Sequence, residues 1–280
     1  MVCEAFLVFG TAVAKTLGGG MIDINIVTPL VVFTGLVGAI LWNLFTWYLG
    51  LPTSSSHALI GGYAGAALAK AGFAAIIASG WYKTLIFIVL APFIGMLLGA
   101  LLKILTTWIV HKQHPKVIDI WSRRIQVVSA ALYSLGHGGN DAQKTMGIIT
   151  GLLFSVHYIP SMNVPLWVVL SAQAAIALGT MVGGWRIVKT MGNRITKLTP
   201  LDGFCAETAS AGSLFLATYL GVPVSTTHVI TGAISGVGSV HRLSAVRWMM
   251  AKRIVGAWLT TIPASAGVAA LSYFIFSHIF

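Results

Sequence analysis

Residues 28–65 and 199–236 carry one passage written twice, at a constant offset of 171 residues and without a gap. The copies read TPLVVFTGLVGAILWNLFTWYLGLPTSSSHALIGGYAG and TPLDGFCAETASAGSLFLATYLGVPVSTTHVITGAISG, and 12 of 38 positions are identical. The identities include Pro52/Pro223, Ser54/Ser225, His57/His228, Gly61/Gly232 and Gly65/Gly236, so they gather where an apolar run meets a hydroxyl cluster. A chain that repeats itself over this distance is expected to fold as two half-domains of one kind. The fold must therefore be divisible, with one hydroxyl cluster in each half.

Composition fixes the solvent. Hydrophobic residues make up 57% of the 280 residues and charged ones only 8%, against roughly 25% charged in an average soluble domain. Apolar runs at 29–49, 85–105, 164–185 and 254–276 approach or exceed the roughly 20 residues that cross a bilayer core. Runs this continuous lack the strict alternation of barrel strands, which leaves helices. The expected class is all-α, a polytopic transmembrane helical protein embedded in a lipid bilayer.

The 17 lysines and arginines outnumber the six acids, for a net charge of +11, which in a soluble protein would suggest nucleic acid. Here they cluster in three linkers: Lys103, Lys112, Lys116, Arg123 and Arg124; Arg186, Lys189, Arg194 and Lys197; Arg242, Arg247, Lys252 and Arg253. No basic stripe is interleaved with exposed aromatics, so nucleic acid is not an expected partner. These linkers read as cytoplasmic, and the loops at 20–27 and 157–163, free of lysine and arginine, as external. Crossings follow at 3–19, 28–49, 53–69, 84–106, 125–157, 165–185, 200–220, 223–240 and 254–276. On this walk one copy of the passage starts outside and the other inside. That is an inverted repeat, and exchange of conformation between such halves supplies alternating access.

Two features of the walk call for broken or re-entrant helices. Segments 53–69 and 223–240 either span or re-enter. Segment 125–157 is long for one span and contains Gly136, Gly138, Gly139 and Gly147, so two half-helices meeting inside the bilayer are expected there. The expected organisation is a first repeat half at 1–106, a basic cytoplasmic linker at 107–124 and a second half at 125–280. Cys3 and Cys205 lie in apolar surroundings without ligand-like spacing. Met1 and Val2 lead directly into Cys3 and Glu4 with no basic leader, so a signal peptide is not expected.

The chemistry is expected in two constellations. The first is Pro52-Thr53-Ser54-Ser55-Ser56-His57 with its twin Pro223-Val224-Ser225-Thr226-Thr227-His228. Each follows an apolar segment and precedes a helix-compatible one, so hydroxyls and unpaired N–H groups converge on a positive helix end that suits an oxyanion. Capping alone explains Ser54 and Ser225. Three hydroxyls in a row exceed that need, which makes Ser54, Ser55, Ser56, Ser225, Thr226 and Thr227 substrate-binding candidates. His57 and His228 either touch substrate or support the site from behind.

The second constellation is His137-Gly138-Gly139-Asn140-Asp141-Ala142-Gln143-Lys144. A carboxylate at membrane depth is costly unless paired or bound to a cation. Asn140 and Asp141 offer oxygens of the kind Na⁺ accepts, Asp141 could instead take up H⁺, and Lys144 either pairs with Asp141 within one helical turn or steadies an anion. Glu4 and Glu207 lie in apolar stretches and are further candidates for ion coupling or helix bonding; the repeat gives neither a symmetric carboxylate. No nucleophile, base and orienting group occur as a set, so an enzyme is not expected, nor any cofactor beyond a coupling ion.

These residues resemble the inorganic phosphate transporter (PiT) family of ion-coupled low-affinity permeases. HGGNDAQKTMG (137–147), LPTSSSHALIG (51–61), VPVSTTHVITGAISGVG (222–238), TPLDGFCAE (199–207) and KRIVGAWLTTIPAS (252–265) carry the resemblance, in order and across essentially the whole chain. It implies phosphate uptake driven by Na⁺ or H⁺ through an integral protein of the plasma membrane. It also implies that Asn140 and Asp141 bind ion and phosphate, with Ser54, Ser55, Ser56, Ser225, Thr226 and Thr227 around them and Gln143 and Lys144 in the same signature. Gly139 stands where alanine is usual. The family's first-half Asn-Asp helix has no counterpart in these residues, so the first half is expected to be N-terminally incomplete. Sulfate or another tetrahedral oxyanion, or a non-transporting phosphate sensor or scaffold, are the competing expectations; a homo-oligomer is allowed by all of them.

Overall fold

The computed structural model describes residues 10–279, and Glu4 lies outside them. In chain order the helices are α1 (Ala12–Gly19), α2 (Pro29–Tyr48), α3 (Ser55–Ala71), α4 (Ala78–Val110), α5 (Pro115–Ser155), α6 (Leu166–Val182), α7 (Trp185–Lys189), α8 (Pro200–Tyr219), α9 (Thr226–His241) and α10 (Trp248–Ser277). Among the described residues β-structure is limited to an isolated bridge between Ile22 and Ile76. The protein is an all-helical, multi-pass membrane protein.

The repeated passage folds the same way twice because its punctuation is the same. Thr28 caps α2 ahead of Pro29, and Thr199 caps α8 ahead of Pro200. Proline is tolerated at that first position because its missing N–H has no helical partner to lose. Asp202 completes a capping box with Thr199 that Val31 cannot make. Both helices then stop at the Tyr-Leu-Gly sequence. Gly50 (φ 66°) and Gly221 (φ 64°) take the left-handed conformation, and their N–H groups bond to Trp47 and Thr218 carbonyls, each at 3.0 Å. The next N–H groups, of Leu51 and Val222, reach back to Thr46 and Ala217 at 3.0 and 2.9 Å. This is the Schellman stop in both halves. It delivers Pro52 and Pro223 to a short extended link, after which Ser54 and Ser225 cap α3 and α9.

Packing exchanges the halves. Helix α3 of the first half packs on α10 of the second, and α9 of the second half packs on α4 of the first. Small residues set this close approach: a Cβ on Gly232 or Gly236 of α9 would fall on the Pro92 or Met96 carbonyl of α4, and one on Gly61 or Gly65 of α3 on the Ile262 or Ala266 carbonyl of α10. Pro92 and Pro263, inside α4 and α10, stand at the same 171-residue offset, which carries the repeat beyond residue 65.

Among the described residues four segments are long and apolar enough to cross a membrane: α2, α3 with the turn after it (Ser55–Ala75), α4 and α10. Helix α6 and the segment Trp185–Gly192 that begins with α7 are bent by 66° at the break between them, the geometry of either a broken span or a re-entrant loop. Only 17% of the best window of α4 is buried against 56% for α3, so α4 turns most of its length to lipid while α3 lies inside. Helices α5, α8 and α9 fall outside that measure. They bear Asp141, Lys144, Asp202, Glu207 and Thr226.

Two expectations require correction. Segment 125–157 is not two half-helices but part of one continuous helix of 41 residues, α5. Its glycines are packing positions: Gly147 meets the Ala14 carbonyl of α1, and Gly136 meets Leu214 and Phe215 of α8. The break falls instead at Gly183–Gly184, inside the expected span 165–185, between α6 and α7. Residues of the basic linker are also mostly helical, since the chain is non-helical only at 111–114. At 1.5 Å per residue α5 is about 60 Å long, twice a bilayer core of about 30 Å, so its basic start projects beyond the hydrocarbon. Lys103 is no loop charge: it is buried on α4 and pairs with the equally buried Asp202 of α8 at 2.7 Å.

Replacing Gly232 with leucine drives a side chain onto the Pro92 backbone, which cannot swing aside, and is expected to cost about 1–3 kcal/mol. Gly256, with open space around its Cβ position, is the comparison: Gly256→Ala is expected to leave stability unchanged or raise it by about 0.5–1 kcal/mol. Thermal unfolding of detergent-purified variants reads both.

Candidate ion and anion site between the repeats

Asp141 lies on the fourth helical turn before the end of α5, where hydroxyls from both halves reach it. Its Oδ1 accepts from the Lys144 ammonium at 2.5 Å and from Ser56 Oγ of α3 at 3.4 Å. Its Oδ2 accepts from Thr226 Oγ1 of α9 at 3.1 Å and lies 3.0 Å from His137 Nε2. One carboxylate thus bridges first-half and second-half hydroxyl helices. The contacts are not symmetric, because Ser56 and Thr226 are not equivalent positions; Ser56 corresponds to Thr227, and Ser55 to Thr226.

Lys144 completes the cluster. Besides Asp141, its Nζ donates to Ser56 Oγ and to the Val224 carbonyl, each at 2.6 Å. All three ammonium donors are therefore used, and the side chain is 1% exposed. Val224 belongs to the extended link between α8 and α9, so its carbonyl is not committed to a helix ladder.

The other candidates divide. Ser54 and Ser225 are caps: their hydroxyls accept from His57 N and His228 N at 3.1 and 3.3 Å. Ser55 is exposed and outside the cluster. Thr227 donates to the Thr53 carbonyl at 3.3 Å. Asn140 is fully buried beside Asp141; its Nδ2 donates to Thr218 Oγ1 and the Val222 carbonyl at 3.0 and 3.4 Å, while its Oδ1 has no partner among the described residues. Gln143 supports from α5 by accepting the Val13 N–H at 3.1 Å, one of the free donors at the start of α1. Glu207 is elsewhere. It is held by Ser129 Oγ at 2.5 Å and Gln126 Nε2 at 3.3 Å, and Ser129 precedes Asp141 by 12 residues, about 18 Å along α5.

The histidines stand behind the hydroxyls. His57 and His228 meet edge to face with ring centroids 4.5 Å apart, and His228 stacks on Trp258 of α10 at 3.7 Å. Pro92 explains the position of His228. A proline lacks the N–H that would bond the carbonyl four residues back, which leaves Ile88 without its helix donor. His228 Nδ1 takes that carbonyl at 3.3 Å, the kind of repair by a neighbouring helix that makes proline tolerable at membrane depth. The Trp258 Nε1 donates to the Pro52 carbonyl at 3.0 Å and ties α10 to the first-half link.

Sequence reasoning gave no role to two members of the cluster, although His137 opens the second constellation and Val224 lies in the second hydroxyl passage. His137 could have been found from its spacing, four residues before Asp141 on one helix face. The Val224 carbonyl has no side-chain signal at all.

A model of the phosphate transporter family matches residues 1–122 and 111–269. The chain is 60% identical over 271 residues to a "Probable low-affinity inorganic phosphate transporter" of Rhizobium meliloti (strain 1021), covering 96% of this chain and 81% of the relative. A protein of the same description from Bacillus subtilis (strain 168) is 44% identical over 273 residues, covering 96% and 82%. The solved structure of a protein described as the sodium-dependent phosphate transporter shares the fold, with a TM-score of 0.88 at 23% identity over 99% of this chain and 87% of that one.

Adjacent serines separate function in the cluster from mere polarity. Ser56→Ala removes an acceptor from a buried ammonium and is expected to cost about 1.5–3 kcal/mol. Ser55→Ala, at an exposed position, is expected to stay within about 0.5 kcal/mol of the unaltered chain. The difference in thermal midpoint between the two variants is the readout.

Proposed function

Because the chain belongs to the phosphate transporter family, we propose that it is a secondary transporter moving inorganic phosphate across the plasma membrane, coupled to Na⁺ or H⁺. One observation carries this reading: Ser56 of the first half and Thr226 of the second converge on the same intramembrane carboxylate, Asp141. A site shared between repeats changes whenever the halves change their angle, which is what a carrier requires.

The mechanism follows from the packing. Each hydroxyl helix rides on the long helix of the other half, so the moving units are these exchanged pairs, and rocking one against the other carries α3 and α10 against α9 and α4. If the two repeats insert in opposite senses, the same rocking closes one side of the membrane as it opens the other. Parting Ser56 from Thr226 turns two hydroxyls and the N-terminal ends of α3 and α9 toward an anion, whose negative charge those ends favour. Asp141 supplies selectivity. Phosphate keeps a proton at neutral pH and can donate it in a hydrogen bond to the carboxylate, whereas sulfate offers none and leaves Asp141 facing a like charge. Asn140, beside Asp141 with a buried oxygen that has no partner among the described residues, is the second ligand in this reading. Ser54, Ser225, His57, His228 and Gln143 hold the shape.

The test is uptake of ³²P-phosphate into proteoliposomes under separately imposed Na⁺ and H⁺ gradients. Saturable uptake driven by one gradient is expected, with loss of at least about a hundredfold in Asp141→Asn, the scale on which a buried polar group left unpaired discriminates. Competition by sulfate equal to that by phosphate would turn the assignment to a general oxyanion carrier, and phosphate binding without counterflow would turn it to a sensor.

A further inference from the structure

The Lys144 ammonium has the surroundings of a bound metal cation. Its three ligands are a carboxylate oxygen of α5, a hydroxyl of α3 and a main-chain carbonyl from the extended α8–α9 link, at 2.5, 2.6 and 2.6 Å. All are oxygens. They come from three separate elements and from both halves, and the carbonyl is one that no helix uses. Hard cations are held by this mixture of carboxylate, hydroxyl and unwound carbonyl. A lysine needing only to neutralise Asp141 could do so from the same turn of α5 without drawing in Ser56 and Val224.

We infer that the Lys144 ammonium occupies the coupling-cation position of the repeat-interface site, so that this chain carries its cation covalently and does not take Na⁺ there. The inference rests on the transport reading above for its meaning and on the geometry for its content. Lysine and Na⁺ are mutually exclusive at these oxygens. A metal ion on Asp141 Oδ1 would stand in contact with an ammonium already 2.5 Å from that oxygen, and two like charges in a buried site repel strongly. Nor can Lys144 vacate the place cheaply, since its side chain is 1% exposed and none of its donors faces water. The positive charge that other arrangements would draw from solution travels here with α5, three residues from the carboxylate it serves. Asp141 thus reaches the anion step already compensated, and filling the shell does not depend on the salt outside.

Two measurements on the full chain test this. In detergent, the thermal midpoint is followed as NaCl replaces KCl at constant ionic strength, for the unaltered chain and for Lys144→Asn, which removes the charge and leaves an oxygen in its place. In proteoliposomes, phosphate uptake under a fixed pH gradient is compared in Na⁺ and K⁺ media. The unaltered chain is expected to show no Na⁺-specific shift and the same uptake rate in both media. Lys144→Asn is expected to gain a Na⁺-specific rise in midpoint, and any uptake it retains should be about tenfold faster in Na⁺ than in K⁺, the size of an ordinary coupling between two ligands. A Na⁺-specific shift or a Na⁺ requirement in the unaltered chain overturns the inference. So does a folded Lys144→Asn chain indifferent to Na⁺. Should that variant fail to fold, the unaltered chain alone decides. If the unaltered chain moves no phosphate in either medium, the transport reading fails while the midpoint titration still answers the cation question.

Discussion

A carboxylate placed at membrane depth must be compensated, and the core of this protein is arranged around that demand. Leaving Asp141 unpaired in a low dielectric would cost several kcal/mol. It is met from α5 itself by Lys144 and His137, from α3 by Ser56 and from α9 by Thr226. Because no single helix satisfies it, the helices that do are held at fixed distances. The glycine faces of α3 and α9 permit that proximity, and the apolar faces of α2, α4 and α10 exclude lipid from it.

How much of this was legible in the sequence depends on which physical signal carried it. The fold class follows from hydropathy, which is additive along the chain and does not require knowledge of contacts. The punctuation at Thr28, Gly50, Ser54 and their twins is likewise local. Asp141 and Lys144 were legible because a charge in an apolar chain needs a partner, and three residues along a helix is where a partner fits. The placement of Ser56 and Thr226, rather than the equivalent pair, was not legible: one carboxylate off the repeat axis must reach different positions in the two copies.

The misreadings have two causes. Glycine in an apolar segment has two uses, ending a helix and letting another backbone approach, and sequence alone does not separate them. Gly136 and Gly147 serve approach within α5, whereas Gly183 and Gly184 mark a real break. Lys103 was grouped with linker charges by proximity in the chain. Its partner, Asp202, is 99 residues away, so only the fold identifies it as an internal tie between the halves.

The bond from His228 to the Ile88 carbonyl has a kinematic consequence. Proline at 92 removes the hydrogen bond that would keep α4 straight, and the replacement comes from a ring on a different helix of the other half. Any bending of α4 at Pro92 and the angle of the His228 ring are therefore one mechanical coordinate, not two. Since the same ring stacks on Trp258 and meets His57, a change of curvature in α4 is transmitted to α10 and α3 by a hinge pin made of imidazole, seated directly behind the hydroxyls that hold Asp141.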